Sequence, residues 1–365
     1  MRKWCAAIVL SAIHVSAIHV SEAAESGSQF FGLLRARDLT PFGYLRLDMR
    51  PSYAGSLSPG DWAIESDLAY QNTWALSPEV ESYLSSQPGR HALGPNDLQA
   101  IRDLPGENYL VDLELAELDV TLHYQFSAHW GAYLILSGAA YGGGFLDSSI
   151  EGFHDTFGFS TFGRRAVSRN QFNLLFDLKS TQYAKFDAPA SSGLLDPTIG
   201  VRYAAVSDSE RWKLVLESAV KIPMGDRRSL LSTGRTDYGV QASLQRFWES
   251  QALYANLAAV YYAGTTSIAP TQSQILPTLI VGYERRLTSR TNAILQSYVS
   301  PSVYRRRETD LDELRKTKYQ MSLGVRHRIS RQLISFAVTE NLQNVNNTPD
   351  IGFELGWSFL PGWKP

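Results

Sequence analysis

The chain has 365 residues, 34 basic against 36 acidic, with one cysteine and 12% aromatic side chains, among them 18 Tyr and 8 Trp. So even a charge balance excludes the basic patch that nucleic-acid binding calls for. Cys5 alone offers neither a disulfide framework nor a thiolate metal site.

The N-terminus is built like an export signal. Arg2 and Lys3 precede the mostly apolar stretch Ala6–Val20, and Ser21-Glu22-Ala23 places small residues at a cleavage spacing. Residues 1–23 are therefore expected to be a signal peptide, with a mature chain starting near Ala24. His14 and His19 belong to a tandem AIHVS repeat and carry no evident function. Beyond that stretch no run of 18 apolar residues occurs, which excludes a later transmembrane helix. Residues 24–60 precede the first strand and contain Leu33, Leu34, Phe42, Leu45 and Leu47. They are expected to form a periplasmic collar or a plug in a lumen.

From Asp61 onward the period changes to two, the signature of strands. Asp61–Asn72 sets Trp62, Ile64, Leu68 and Tyr70 against Glu65, Asp67 and Gln71. Tyr109–Phe126 alternates twice, with the apolar phase changing parity at Ala116-Glu117, so a β-bulge is expected there. Trp130–Ala140 follows after a tight turn. Leu146–Gly158 spaces Ile150, Phe153 and Phe157 at helical intervals and predicts a short amphipathic helix. Further strands are expected at Pro197–Val206, Trp212–Ile222, Asp237–Arg246, Gln251–Ala263, Pro277–Leu287, Thr291–Val299, Lys318–Ile329, Gln332–Glu340 and Asp350–Phe359.

Short connections alternate with long ones along the whole series. That alternation, with apolar and polar residues alternating in each strand, is the pattern of a transmembrane β-barrel. The expected fold class is all-β: an antiparallel up-and-down barrel, residues 61–360, of about twelve strands. The terminal strand Asp350–Phe359 would close it against Asp61–Asn72. A hairpin within Asn170–Asp187 would raise the count to fourteen if it joined the wall.

The polar phases place charge in the lumen. Candidate lining residues are Glu65, Asp67, Asp112, Glu114, Lys318, Arg326, Arg328 and Glu354. Acids dominate the first two strands and bases the tenth, Lys318–Ile329, which would set a field across a pore. Glu151, His154 and Asp155 on the loop helix are candidates for constricting the mouth, against the simpler reading of a helix that covers the barrel top with its Phe side. Beyond residue 23 the histidines are His91, His123, His129, His154 and His327, without metal-ligand spacing. No nucleophile elbow or nucleotide-binding loop occurs. No cofactor, no metal and no catalytic residue is expected. A lipid hydrolase or acyltransferase using His123 or His327 is the minor enzymatic alternative.

Several short motifs are shared with a known family: Arg37-Asp38-Leu39-Thr40-Pro41-Phe42-Gly43, Leu104-Pro105-Gly106, Ile150-Glu151-Gly152-Phe153-His154, Asp237-Tyr238-Gly239, Glu340-Asn341-Leu342 and Asn346-Asn347-Thr348-Pro349-Asp350. They resemble a Gram-negative outer-membrane family catalogued as domain of unknown function 3187, from about Phe31 onward. The resemblance implies an outer-membrane barrel and no assigned activity. The functional expectation is a narrow porin-like channel or passive transporter for small solutes. The alternative is a non-conducting barrel for binding or envelope integrity. Expected partners are outer-membrane lipid, the barrel-insertion machinery and unidentified small solutes, with no nucleic acid.

Overall fold

A computed structural model of the protein describes residues 30–35, 37–40, 43, 45–52, 57–206, 211–265, 270–343 and 347–359. The signal peptide expected at residues 1–23 and Phe42 lie outside the described residues.

Fifteen strands are described: β1 (Trp62–Leu76), β2 (Asn108–Gln125), β3 (Trp130–Gly142), β4 (Asn173–Leu178), β5 (Thr181–Lys185), β6 (Ser191–Leu194), β7 (Thr198–Val206), β8 (Trp212–Lys221), β9 (Asp237–Phe247), β10 (Gln251–Tyr262), β11 (Gln274–Arg286), β12 (Thr291–Ser300), β13 (Lys318–Ile329), β14 (Gln332–Gln343) and β15 (Ile351–Phe359). Twelve of them close into one antiparallel barrel. Each wall strand pairs with its successor, β3 pairs with β7, and β15 returns to β1 with Ile64 opposite Phe359 and Asn72 opposite Ile351. The expected closure between the first and last strands is thus the observed one. The hairpin β4–β5 does not enlarge the wall. β4 takes the place of β3 beside Asn108–Asp112, above the point where β3 has left. β6 likewise pairs only with the upper part of β3. These pieces form a crown on the barrel.

The wall alternates as a bilayer solvent requires. Leu68, Leu118, Leu136, Leu257, Leu323 and Leu355 point outward and are exposed, while Glu65, Asp67, Asp119, Thr121, Ser322 and Glu354 are buried inside. Trp62, Tyr124, Phe126, Trp130, Trp212 and Trp248 ring the end that carries the short turns. Tyr238 and Tyr261, with ring centroids 6.4 Å apart, mark the other end. Aromatic rings at both rims fit the two water–lipid boundaries.

The expected bulge at Ala116-Glu117 is absent. β2 pairs with β1 and with β3 in unbroken register across that point. The apolar phase changes because the surroundings change. Below Ala116 the inward face of β2 carries Glu117, Asp119, Thr121 and His123, and its outward face carries Leu118 and Leu122. Above it the inward face carries Tyr109, Val111, Leu113 and Leu115. These pack with Phe172, Leu174, Phe176, Leu230, Leu231, Val303, Tyr304 and Leu314 into an apolar core that fills the outer mouth. The outward face there is covered by the loop between β1 and β2, with helices α1 (Pro78–Ser85) and α2 (Pro95–Arg102). Trp74, Leu76, Val80, Leu84, Ile101 and Leu110 form a second core on that side.

The helix expected at Leu146–Gly158 is observed as α3 (Asp147–Phe157), ended by Gly158 at φ 70°. Glycine reaches that left-handed conformation without a Cβ clash. Asp147 does not cap it. Its carboxylate accepts from Arg164 at 2.6 Å and from the backbone N–H of Asn170 at 2.7 Å.

Candidate functional site: the filled lumen

The N-terminal segment 30–52 runs through the barrel and bonds to the wall on nearly every side. At its start the N–H groups of Phe31 and Gly32 donate to Glu284 on β11, at 2.7 and 3.0 Å. The Arg326 guanidinium on β13 donates to the Phe31 carbonyl at 2.5 Å. Arg35 reaches Glu65 on β1 at 2.8 Å, and its N–H donates to Glu354 on β15 at 3.1 Å. Arg37 pairs with Glu117 and Arg50 with Asp119, both on β2 and both at 2.5 Å. Lys318 on β13 holds Asp38 at 2.6 Å and Thr40 at 3.0 Å. Further along, the Leu47 N–H donates to Asp237, Ser52 to Glu217 and Gln241 to the Arg50 carbonyl. Arg46 donates to Tyr298, which also lies 3.1 Å from Asp48.

Local sequence explains this path. The described residues of the segment form no helix or strand, so their N–H and C=O groups need partners in a buried place. Polar side chains of the inward strand phase supply them. Wall glycines make the room. A Cβ on Gly282 would come within 2.2 Å of Leu33, and one on Gly239 within 2.6 Å of Met49. Leu33 and Leu34 seat against Tyr254, Ile280, Ile294 and Ala337 of the opposite wall.

Charge complements charge across the interior. Glu65, Glu117, Asp119 and Glu354 lie on β15, β1 and β2, and Arg35, Arg37 and Arg50 of the segment face them. Asp38 faces the basic strand β13. The wall polarity expected as a field across a pore is therefore met in large part by ion pairs and hydrogen bonds from the segment inside it. Not every buried polar atom is matched. Asp67 Oδ2, Glu354 Oε2 and the Nε and Nη1 of Arg50 have no hydrogen-bond partner. Two cavities of about 20 Å³ adjoin Arg50, both bordered by Leu47, Asp48, Ile135 and Thr198. Each has room for about one water molecule. They lie in one seam between the segment and the wall strands β3, β7 and β8.

Of the candidate lining residues, Glu65, Asp67, Lys318, Arg326 and Glu354 lie buried on the inward face, and Arg328 follows on the same phase, half-buried near the inner rim. Asp112 and Glu114 do not. They sit on the outward face of β2, above the lipid belt, because the strand's environment inverts there without a bulge. Asp112 accepts from Asn173 at 2.9 Å. Glu114 accepts from the N–H groups of Phe145 and Leu146, at 3.0 and 2.7 Å, and from Asn72 and Tyr70. It anchors the start of α3 to the outside of the wall.

The constriction expected of Glu151, His154 and Asp155 is corrected by the same anchor. α3 lies on the outer shoulder of β1 and β2, not in the mouth. Glu151 is paired with Arg90 and Arg169, Asp155 with Arg165, and His154 bonds the Ser160 carbonyl at 2.7 Å. Nor does the Phe side cover the barrel: Phe153 and Phe157 are more than half exposed. Burial would raise the Glu151 carboxyl, but its bonds to Arg169 and Arg90 hold it below the usual carboxylate range. The residues missed in the sequence are Arg35, Arg37, Asp38, Arg46, Asp48 and Arg50. Their signal was present: charges at Arg35 and Arg37, and at Arg46, Asp48 and Arg50, recur every second residue among Leu, Ala and Met.

Among the described residues, no group of three His, Cys, Asp or Glu side chains is arranged for a metal ion. His123 bonds Glu65 at 2.8 Å inside the lumen. His327 lies on the lipid side, 2.8 Å from Thr291 Oγ1.

A closed twelve-stranded wall, an apolar outer belt and a charged interior define an outer-membrane β-barrel protein. The chain belongs to the family described as protein of unknown function DUF3187, which matches residues 104–360. No curated protein matches it in sequence. In fold it is similar to the COG4313 outer membrane channel from Pseudomonas putida F1. The two share 11% identity, 86% of this chain and 99% of that one are covered, and the TM-score is 0.53. Weaker likenesses include the NanC porin, with 7% identity over 82% of this chain and 99% of that one and a TM-score of 0.41. The toluene transporter TbuX of Ralstonia pickettii gives 8% identity over 83% and 90%, with a TM-score of 0.40. Only the first bears on the fold.

Proposed function

We propose that the protein is a passive channel for small polar solutes whose resting lumen is occluded by its own N-terminal segment. One observation carries this reading: the segment is held inside by ion pairs and hydrogen bonds to a charged wall. The charged groups on both surfaces hydrate well when parted. An apolar filling would have no such alternative, since exposing it to water costs roughly 25 cal/mol per Å². Eight-stranded barrels are filled by side chains and sixteen-stranded ones conduct. Twelve strands enclose space for one peptide segment, and its displacement would leave a water-filled passage of about that width. The acidic wall of β15, β1 and β2 and the basic wall of β13 would then face the solute from two sides. The P. putida relative in fold is described as a channel, which agrees with this reading.

The apolar core in the outer mouth favours a second reading. Leu230, Leu231, Val303, Tyr304 and Leu314 close that end, as suits a non-conducting barrel that acts by binding or in envelope integrity. Residues 24–60 act as the plug in both readings, the barrel-insertion machinery is the partner in assembly, and the protein is not an enzyme.

Single-channel recording of refolded residues 24–365 tests the first reading. The parent protein is expected to stay mostly closed, and the Arg35→Ala/Arg50→Ala double variant to open far more often. Silence from both, with the strand signal intact by circular dichroism, would reject the channel and leave the second reading.

A further inference from the structure

We infer that helix α3 and its flanking loop are an interfacial anchor that enters the outer-leaflet lipid beside the barrel. The placement of the helix comes first. Glu114, on the outward face of β2, binds the N–H groups of Phe145 and Leu146. Arg164 ties Asp147 to Asp350 and bonds Asn72, again on the outward side. At 100° per residue the helix has three edges. Asp147, Ile150 and Glu151 face the protein and are buried. Ser148, Gly152 and Asp155 lie on one side of that buried edge and Phe153 and Phe157 on the other.

The aromatic edge is exposed. Phe145, Phe153, Phe157 and Phe159 have relative exposures of 66%, 53%, 54% and 47%. Three of these rings cluster, with centroids 4.7 Å apart for Phe153 and Phe157 and 5.9 Å for Phe153 and Phe159. An apolar patch of this kind marks an interaction surface. Continuity with the lipid belt identifies the occupant. Phe145 stacks on Tyr70 at 5.2 Å, and Tyr70 continues the outward phase of Ile64 and Leu68. The patch therefore begins where the lipid-facing wall ends. Aromatic residues on one edge and polar residues on another describe a helix lying in the membrane boundary. Arg165 and Arg169, paired with Asp155 and Glu151 of this helix, keep side-chain exposures of 53% and 47%. They set cationic groups beside it.

The test uses single cysteines, because Cys5 is the only native one and precedes residue 24. Phe157→Cys and Gly152→Cys variants of residues 24–365 are labelled with a polarity-sensitive dye and refolded into phosphatidylcholine vesicles. Gly152 has open space around its Cβ position, so its label reports the water-facing edge. The dye at 157 is expected to be blue-shifted and quenched several-fold more strongly than that at 152 by a nitroxide high on the acyl chain. A water-like spectrum and equal, weak quenching at both sites would overturn the inference. So would protection of the 157 dye only at high protein-to-lipid ratio without lipid quenching, which would assign the patch to a second copy of the chain. Since the label replaces one ring, Phe153→Asp in the unlabelled chain gives an independent reading. Loop 143–172 is expected to become more sensitive to protease in vesicles but not in detergent-free denaturant controls, and unchanged vesicle sensitivity would count against the anchor.

Discussion

The lower and upper parts of β2 are one unbroken strand with opposite polarity on their faces. Below Ala116 acids point into the lumen and leucines into lipid; above it apolar side chains point inward and Asp112 and Glu114 outward. The comparison teaches that a face of a barrel strand takes its chemistry from what lies against it at each height. In the belt the outside is hydrocarbon and the inside is a charged segment. In the crown the inside is an apolar lid and the outside is a loop that needs hydrogen-bond acceptors.

Substitutions on the two sides of Ala116 sharpen this difference. The largest effect is expected in the lumen. Asp38 and Lys318 are both about 1% exposed, and Lys318→Ala would strand a buried carboxylate at a cost of about 3–5 kcal/mol. The denaturation midpoint of the folded barrel should fall accordingly, and an unchanged midpoint would contradict the packed lumen. Next, Leu118→Arg places a cation on the lipid face, costing about 2–4 kcal/mol near mid-bilayer. Glu114→Gln, four residues away on the same face, keeps a polar acceptor there and should leave refolding yield nearly unchanged, because that height is outside the hydrocarbon. Equal losses would break the comparison. Third, Glu114→Leu removes the acceptor for two backbone N–H groups, about 1–3 kcal/mol for each one left buried and unpaired. Proteolysis should then cut the loop 143–172 faster while leaving the barrel whole.

The smallest effect is a pH dependence in the crown. The bond from Asp97 raises the His91 pKa above 6.5, against a smaller opposing effect of burial. The stabilisation is therefore complete below about 6.5 and is lost as pH rises through the raised value. Hydrogen exchange in residues 91–102, corrected for the base-catalysed intrinsic rate, should be slower at pH 5.5 than at pH 8.5. His91 is substantially exposed, so solvent screening keeps the difference small. The reverse order of rates would contradict the pairing.

Much of the wall was legible in the chain. Leu68, Leu118 and Leu323 could be assigned outward and Glu65, Asp119 and Ser322 inward from alternation once the chain was read as a membrane barrel, since strand side chains alternate with period two wherever the strand runs. The lumen charges on β1, β13 and β15 were legible for the same reason. Asp112 and Glu114 were not. Alternation reports parity, and the side to which a parity belongs depends on which neighbour covers it. The plug was half legible. Its leucines were visible, but the alternating charges of Arg46, Asp48 and Arg50 gained meaning only opposite Tyr298 and Asp119, which are far away in the chain.

The sequence by itself therefore determined the antiparallel barrel, its closure by the last strand and the presence of a short helix after β3, and left twelve or fourteen strands open. These depend on local periodicity and on connection lengths, which are properties of neighbouring residues. Only the tertiary structure decided that the described residues of the segment 30–52 bond to the inward face of the wall, that β2 inverts without a bulge and that α3 lies outside the wall. Each of those outcomes rests on contacts between residues tens to hundreds of positions apart, where charge pairing and burial select one arrangement from several that share the same local pattern.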